Sequence, residues 1–323
     1  MKTFKSQIKR VSFLFIILFA SISIQSCKSD KKETKNNETA IDSENVIEII
    51  TEDMEFQMQD TIPSGWNTFR YKNLSPQTHF FLVERYPEGK SLEDAKAEVI
   101  PAFSEGMKLL NEGENEQAMT EFGKLPDWYS EVKFLGGSGL ISSEKIGETA
   151  IELEPGYYLM ECYVKMSNGE FHSSMGMIRD FVVSTENSGN QQPVADIEID
   201  LSSKEGIVFN DSITVGTHTF SVFYRDQTVH ENFVGHDLNL VKLNQNSKVE
   251  DLEKWMNWSD PEGLIEPAPE GFTFLGGVND MAEGSTGFFT ATLEAGKYAL
   301  VSEVPNTIEK KMLKTFNVSD SNK

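Results

Sequence analysis

Residues 152–164, ELEPGYYLMECYV, return at residues 292–304 as TLEAGKYALVSEV. A second pair of strings keeps the same offset. VKFLGG (132–137) recurs as FTFLGG (272–277), so Phe134 and Phe274, like Gly156 and Gly296, stand 140 residues apart. Self-similarity at a fixed spacing marks a duplicated folding unit. Outward from these strings, the copies open on VIEIITEDMEF (46–56) and VADIEIDLSS (194–203), and close on IRDFVVS (178–184) and LKTFNVS (313–319). The stretch between them, TENSGNQQP, has the Gly/Pro/Asn composition of a linker. The expected organisation is one domain over 46–184, a linker over 185–193 and a second domain over 194–319.

Within each copy the local signals are mostly β. WNTFRY (66–71) alternates large side chains, HFFLVERY (79–86) is aromatic and β-branched, and GYYLMECYV (156–164) follows a Pro-Gly turn. Strands of this kind are buried when two sheets pack face to face. The middle of each copy differs. Residues 91–122 read as short helices, with Ser91 as N-cap, Asp94 three residues on, and Pro101 and Gly113 dividing the run. KVEDLEKWMNW (248–258) is a shorter counterpart. The fold class expected is mainly β, as two tandem β-sandwich domains, each with a helical insertion. Asp60-Thr61-Ile62 and Asp211-Ser212-Ile213 fall at matching places and suit plain β-turns.

Twenty-nine basic against 51 acidic residues give a net charge of −22. Such a surface repels phosphate backbones, which argues against nucleic acid and anionic membrane surfaces as partners. The chain begins with the basic MKTFKSQIKR and an apolar run of 14 residues, VSFLFIILFASISI, too short to span a bilayer comfortably. That run ends at IQSC, with Cys27 last, and resembles the lipobox of bacterial lipoproteins. The resemblance implies a signal peptide over 1–26, lipidation of Cys27 as the mature N-terminus, and a membrane held through that lipid. Residues 27–45 are polar and read as a solvated tether. Lys28 is not the aspartate associated with inner-membrane retention, so the resemblance implies an outer-membrane lipoprotein of the cell envelope, facing the periplasm or the cell surface. With Cys27 acylated, Cys162 has no disulfide partner in an oxidising compartment.

Three strings of the first copy resemble those of cupredoxin-like domains in exported microbial proteins: Gly65–Asn73, THFFLVER (78–85) around His79, and LEPGYYLMECYVKMSNGEFHSSMGM (153–177). The resemblance covers most of the first copy except the helices, and the second copy more weakly. It implies cupredoxin-like (Ig-like) sandwiches and, residue by residue, a copper ligand set of His79, Cys162, His172 and Met177. Two imidazoles and a thiolate make the trigonal plane of a blue-copper site, with a thioether weakly on the axis. The departure from the family is the nine residues, YVKMSNGEF, between Cys162 and His172. Asn168-Gly169 favours a tight hairpin turn there. Whether His172 then faces Cys162 depends on register, because a slip of one residue moves it to the other face. The same residues also read as core: Cys162 as a small buried hydrophobe, His79 as a bonded core histidine, Met175 and Met177 as packing. In the second copy His236 stands where His79 does, but Ser302 replaces Cys162 and only Met312 follows. No copper centre is expected there.

Enzyme motifs are lacking. GKS at 89–91 is not a P-loop end, because Glu84 stands where the loop needs glycine, and no Gly-x-Ser-x-Gly, His-Glu-x-x-His or Cys-x-x-Cys occurs. The expectation is a non-enzymatic envelope lipoprotein without a resident cofactor, acting as a binding or interaction module for a protein or glycan. The alternative is mononuclear copper binding or electron transfer by the first domain. A second alternative is a carbohydrate- or surface-binding module presenting Trp255 and Trp258.

Overall fold

A computed structural model describes residues 46–210 and 212–320. The leader 1–26, Cys27, the tether and Asp211 lie outside the described residues. No helix among the described residues is long and apolar enough to cross a membrane.

The first repeat runs β1 (Val46–Thr51), β2 (Thr61–Asn73) and β3 (Leu82–Arg85), then α1 (Leu92–Asp94), a π-helical turn (Ala95–Val99), α2 (Ile100–Asn111) and α3 (Asn115–Phe122). It returns to the sheets with β4 (Lys133–Gly137), β5 (Lys145–Leu153), β6 (Gly156–Glu161) and β7 (Ile178–Asn187). The second repeat is β8 (Ile197–Ser202), β9 (Gly206–Phe209), β10 (Ile213–Thr214), β11 (Gly216–Tyr224) and β12 (Leu238–Leu243), followed by α4 (Val249–Met256). It ends with β13 (Phe272–Val278), β14 (Thr286–Leu293), β15 (Gly296–Val301) and β16 (Leu313–Ser319).

The two repeats are wired alike. In the first, β1 lies parallel to β2 and β5 antiparallel to it, forming one layer. The N-terminal end of β2 leaves that layer to pair in parallel with β7, and β7-β6-β3-β4 continue the other. In the second, β8, β11 and β14 form the first layer, and β10-β16-β15-β12-β13 the other. The architecture is thus the mainly β, double-sandwich arrangement expected, with helices inserted between the third and fourth main strands. Alternation drives it: Asn67, Phe69, Tyr71 and Asn73 of β2 point inward while Thr68, Arg70 and Lys72 lie on the other face. Phe81 meets Phe69 and Tyr71 across the core, at ring separations of 5.6 and 5.7 Å.

The repeated FLGG has a steric cause. A Cβ on Gly137 would lie 1.9 Å from the Phe81 carbonyl oxygen, and one on Gly277 would lie 1.9 Å from that of Leu238. Both glycines let the neighbouring strand approach where its register shifts.

Two details differ from expectation. Pro101 does not divide the first helix. The π turn just before it widens the spiral, and α2 starts with the proline in its first turn, where the missing amide costs least. The break comes at Gly113, between α2 and α3, and the Ser91–Asp94 capping box forms as read. The stretch after residue 184 is not loose either. Strand β7 runs on to Asn187, and Ser188 donates to the Trp66 carbonyl at 2.6 Å.

The repeats pack as one compact unit. Their first layers join edge to edge through β5 and β14, with Phe289 opposite Thr149. Residues 138–142 also pair with β13, and the Asn239 side chain accepts from the Leu140 amide at 2.7 Å.

Candidate metal centre

The segment after β6 folds back as a hairpin. Lys165 pairs with Phe171, Met166 donates to the Glu170 carbonyl, and Gly169 donates to that of Met166. The connection is Ser167-Asn168-Gly169, with Gly169 in the left-handed region at φ 84°, a three-residue loop instead of the two-residue turn that Asn-Gly favours. This hairpin settles the register. The His172 amide donates to the Val164 carbonyl at 2.8 Å, which brings the His172 ring onto the face of Cys162.

His79 reaches the same place from the segment just before β3. Its amide and carbonyl pair with Ile141, and the loop before it is pinned by Asn73, whose side chain donates to the Gln77 and Ile141 carbonyls. Ser75 Oγ lies 2.7 Å from His79 Nε2, leaving Nδ1 to face Cys162. The three donors form a tight triangle. Cys162 Sγ is 3.9 Å from His79 Nδ1 and 3.7 Å from His172 Nδ1, and the two Nδ1 atoms are 3.0 Å apart. All three residues are 0% exposed. Among the described residues no further His, Cys, Asp or Glu joins this group.

Burial sets the protonation. It pulls His79 down to about 3, with His172 adding to the effect, and His172 to about 4. Both rings are therefore neutral and able to offer a lone pair. Burial pushes the Cys162 thiol up to about 12, opposed by hydrogen bonds from the Phe80 and Val164 amides. A buried thiolate thus needs a cation beside it.

The donor set fits a metal ion. The point equidistant from the three donor atoms lies about 2.1 Å from each, within the range of about 2.0–2.3 Å for metal bonds to imidazole nitrogen and thiolate sulfur. Met177 is fully buried, and its backbone closes the loop, donating to the His172 carbonyl at 2.9 Å and accepting from the Cys162 amide at 3.1 Å. Met175, read as core packing, is instead 50% exposed.

The second repeat keeps the frame without the ligands. Met312 donates to the Thr307 carbonyl at 2.7 Å and accepts from Ser302 at 3.0 Å, so Ser302, Thr307 and Met312 occupy the places of Cys162, His172 and Met177. The ring of His236 turns to His230, at 3.2 Å, and to the Asp226 carbonyl. Its job differs from that of His79.

The second repeat also packs against the segments that carry the three donors. Glu266 Oε1 accepts from the Thr78 amide at 3.0 Å, the Lys165 amide donates to the Leu264 carbonyl, and Trp258 stacks on Phe171 at 6.1 Å. Trp255 and Trp258 are 8% and 7% exposed, and Trp255 Nε1 donates to the Ile265 carbonyl. They are packing residues and present no surface platform to a glycan. Sequence reasoning missed Ser75, Glu266 and this bracing loop. Only Ser75, four residues before His79, carried any local signal.

No protein-family model matches the sequence, and no curated protein matches it. Among solved structures, the chain is similar to dithionite-reduced auracyanin from the photosynthetic bacterium Roseiflexus castenholzii, at 19% identity over 43% of this chain and 97% of that one, with a TM-score of 0.27. It is similar to auracyanin A, a "blue" copper protein of Chloroflexus aurantiacus, at 19% identity over 43% and 98%, with a TM-score of 0.25. It is also similar to the blue copper oxidase of Nitrosomonas europaea, at 10% identity over 84% and 85%, with a TM-score of 0.22. Likenesses this low carry no argument, and the reading of the centre rests on its own geometry.

Proposed function

We propose that this protein binds one copper ion at His79, Cys162 and His172, with Met177 as weak axial ligand, and serves as a one-electron carrier at the cell envelope. The observation that carries the reading is the convergence of two imidazole Nδ1 atoms and one sulfur, 3.0–3.9 Å apart, in a fully buried site. Two nitrogens and a thiolate suit copper, whereas zinc takes a fourth strong ligand or an open water position. Neither is offered by the described residues. Bound copper would supply a Cu(II)/Cu(I) couple. Complete burial of the ligands leaves no position for a substrate to coordinate, which favours electron transfer over catalysis and over release of the ion. The geometry therefore favours the copper alternative over a cofactor-free interaction module.

The repeat supports assigning the metal to residues 46–184 and the bracing to 194–319. The leader and Cys27 support placement as an outer-membrane lipoprotein, tethered through 27–45. Mass measurement of the mature N-terminus tests that part, with a lipidated Cys27 expected and an unmodified leader contradicting it.

Adding Cu(II) to the purified chain tests the central reading. One equivalent should produce an intense thiolate-to-copper band in the visible spectrum, absent from Cys162→Ser. A spectrum without that band overturns it.

A further inference from the structure

Between the repeats lies a cavity of about 90 Å3, room for several waters or one small organic molecule. Five carboxylates line it, Glu84 and Glu161 from the first repeat and Asp237, Asp280 and Glu303 from the second, and no lysine or arginine does. Glu84, Asp237 and Glu303 are 1%, 2% and 3% exposed. Carboxylate charges this deep are costly without a counter-charge, and among the described residues only Glu303 has one, the buried ammonium of Lys165 outside the lining. Burial, reinforced by Glu161, holds Glu84 well above the usual range. Burial reinforced by Asp237 does the same to Asp280 and Glu303.

Some of these groups are already served. Asp237 accepts from the Ser302 hydroxyl at 2.8 Å and the Glu303 amide at 2.6 Å, and Glu303 accepts from the Tyr163 hydroxyl at 3.2 Å. Two oxygens are not. Glu84 Oε2 and Asp280 Oδ1, one from each repeat, are buried without a hydrogen-bond partner. A native fold leaves such atoms open mainly where something else fills the need.

The remaining walls are largely aromatic, with Phe103, Tyr129, Tyr163, Phe171 and Trp258 among them. A bare metal ion does not suit the cavity. Among the described residues the only group of donors close enough to share an ion is His79, Cys162 and His172, so the cavity carboxylates do not converge on one point. An ammonium on an apolar body matches both features, since its N–H groups reach open carboxylate oxygens and its charge favours ring faces.

We propose that this cavity binds a small organic ammonium ion, its charge held by Glu84 and Asp280 and its apolar body against the aromatic walls. The assignment is independent of the copper reading. Calorimetric titration of the purified full chain with benzylammonium tests it, with benzyl alcohol and Ca2+ as comparisons. Benzylammonium should bind one per chain, and benzyl alcohol roughly 10–100-fold more weakly, the worth of a charge-assisted hydrogen bond. Glu84→Gln and Asp280→Asn should each weaken benzylammonium about tenfold or more while unfolding at or above the parent temperature, because each removes an acid whose ionisation burial disfavours. Cys162→Ser should bind it undiminished. Equal affinity for benzyl alcohol, Ca2+ binding lost in the same two variants, or no saturable binding of benzylammonium each overturns the proposal.

Discussion

The imidazole of His79 is held from behind, which directs its Nδ1 toward Cys162 and His172. Ser75 Oγ at 2.7 Å from Nε2 fixes which nitrogen faces the sulfur. Ser75→Ala should keep the fold, at a cost of about 1–2 kcal/mol for one buried hydrogen bond. It should weaken copper about 10–100-fold, read by competition with a chromophoric chelator. An unchanged affinity would show that packing alone orients the ring. The cavity carboxylates make a second prediction at this scale. Burial raises Asp237 to about 6, and holds Glu84, Asp280 and Glu303 well above the usual carboxylate range. An acid whose folded value lies above its unfolded one holds more protons when folded, so its contribution is complete below about pH 4 and fades as pH rises through the folded value. Buried His79, His172 and Lys165, all held below their usual values, push the other way, so the readout is a difference: in the ligand-free protein Asp280→Asn should raise the melting temperature more near pH 8 than near pH 5. An equal effect at both pH values would contradict the assignment. At this scale the sequence was legible for the residues with distinctive chemistry. His79, Cys162 and His172 were named through the resemblance to cupredoxin-like domains, whose pattern stands out in a chain with only five histidines. The open carboxylates were hidden among 51 acids, since burial and not identity makes them special.

Strands and turns place those residues, and the glycine pair of FLGG shows how tightly. Gly137 lies against the carbonyl of Phe81, two residues beyond His79, with no space for a Cβ. Gly137→Ala should cost about 3 kcal/mol or more, as steric strain at a special backbone site does. It should disturb copper binding as well, because β3 must shift to make room. Thermal unfolding and the visible band report the two effects separately, and a variant within 0.5 kcal/mol of the parent, about the spread of neutral surface changes, would refute the steric account. The element level was the most readable. Alternation in β2 and the recurrence of FLGG and LE-x-G-x-Y marked the strands, because side-chain periodicity and forbidden Cβ positions are local properties. Pro101 misled because a π turn, which no pattern announces, absorbed it. The register of the Cys162–His172 hairpin was likewise unreadable. It depends on which carbonyl meets the His172 amide, and a period of two residues permits either face until the pairing is known.

For the molecule as a whole, the second repeat lacks the donor set and braces the segments that carry it in the first. Ser302, Thr307 and Met312 preserve the loop geometry, while Glu266 and Trp258 hold down Thr78 and Phe171 beside the donors. The shared β5–β14 edge ties both repeats into one unit. Calorimetry should therefore show a single cooperative transition, and two resolved transitions would contradict the coupling. Trp258→Ala should cost about 3–5 kcal/mol and loosen the hairpin that positions Cys162 and His172, since its ring stacks on Phe171. In the metal-free protein, Cys162 should then react with a thiol reagent at least tenfold faster, whereas an unchanged rate would mean that the bracing lies elsewhere. This interdependence was invisible in the sequence, where the copies read as separate domains. Contacts such as Glu266 to Thr78 join residues 188 positions apart and leave no local trace. The central claim, that two imidazoles and one thiolate take up a single copper ion, is tested most directly by X-ray absorption at the copper edge of the loaded protein. The account predicts two nitrogen scatterers at about 2.0 Å and one sulfur at about 2.3 Å, the sulfur vanishing in Cys162→Ser. A shell of nitrogen and oxygen alone, unchanged by that substitution, would contradict it.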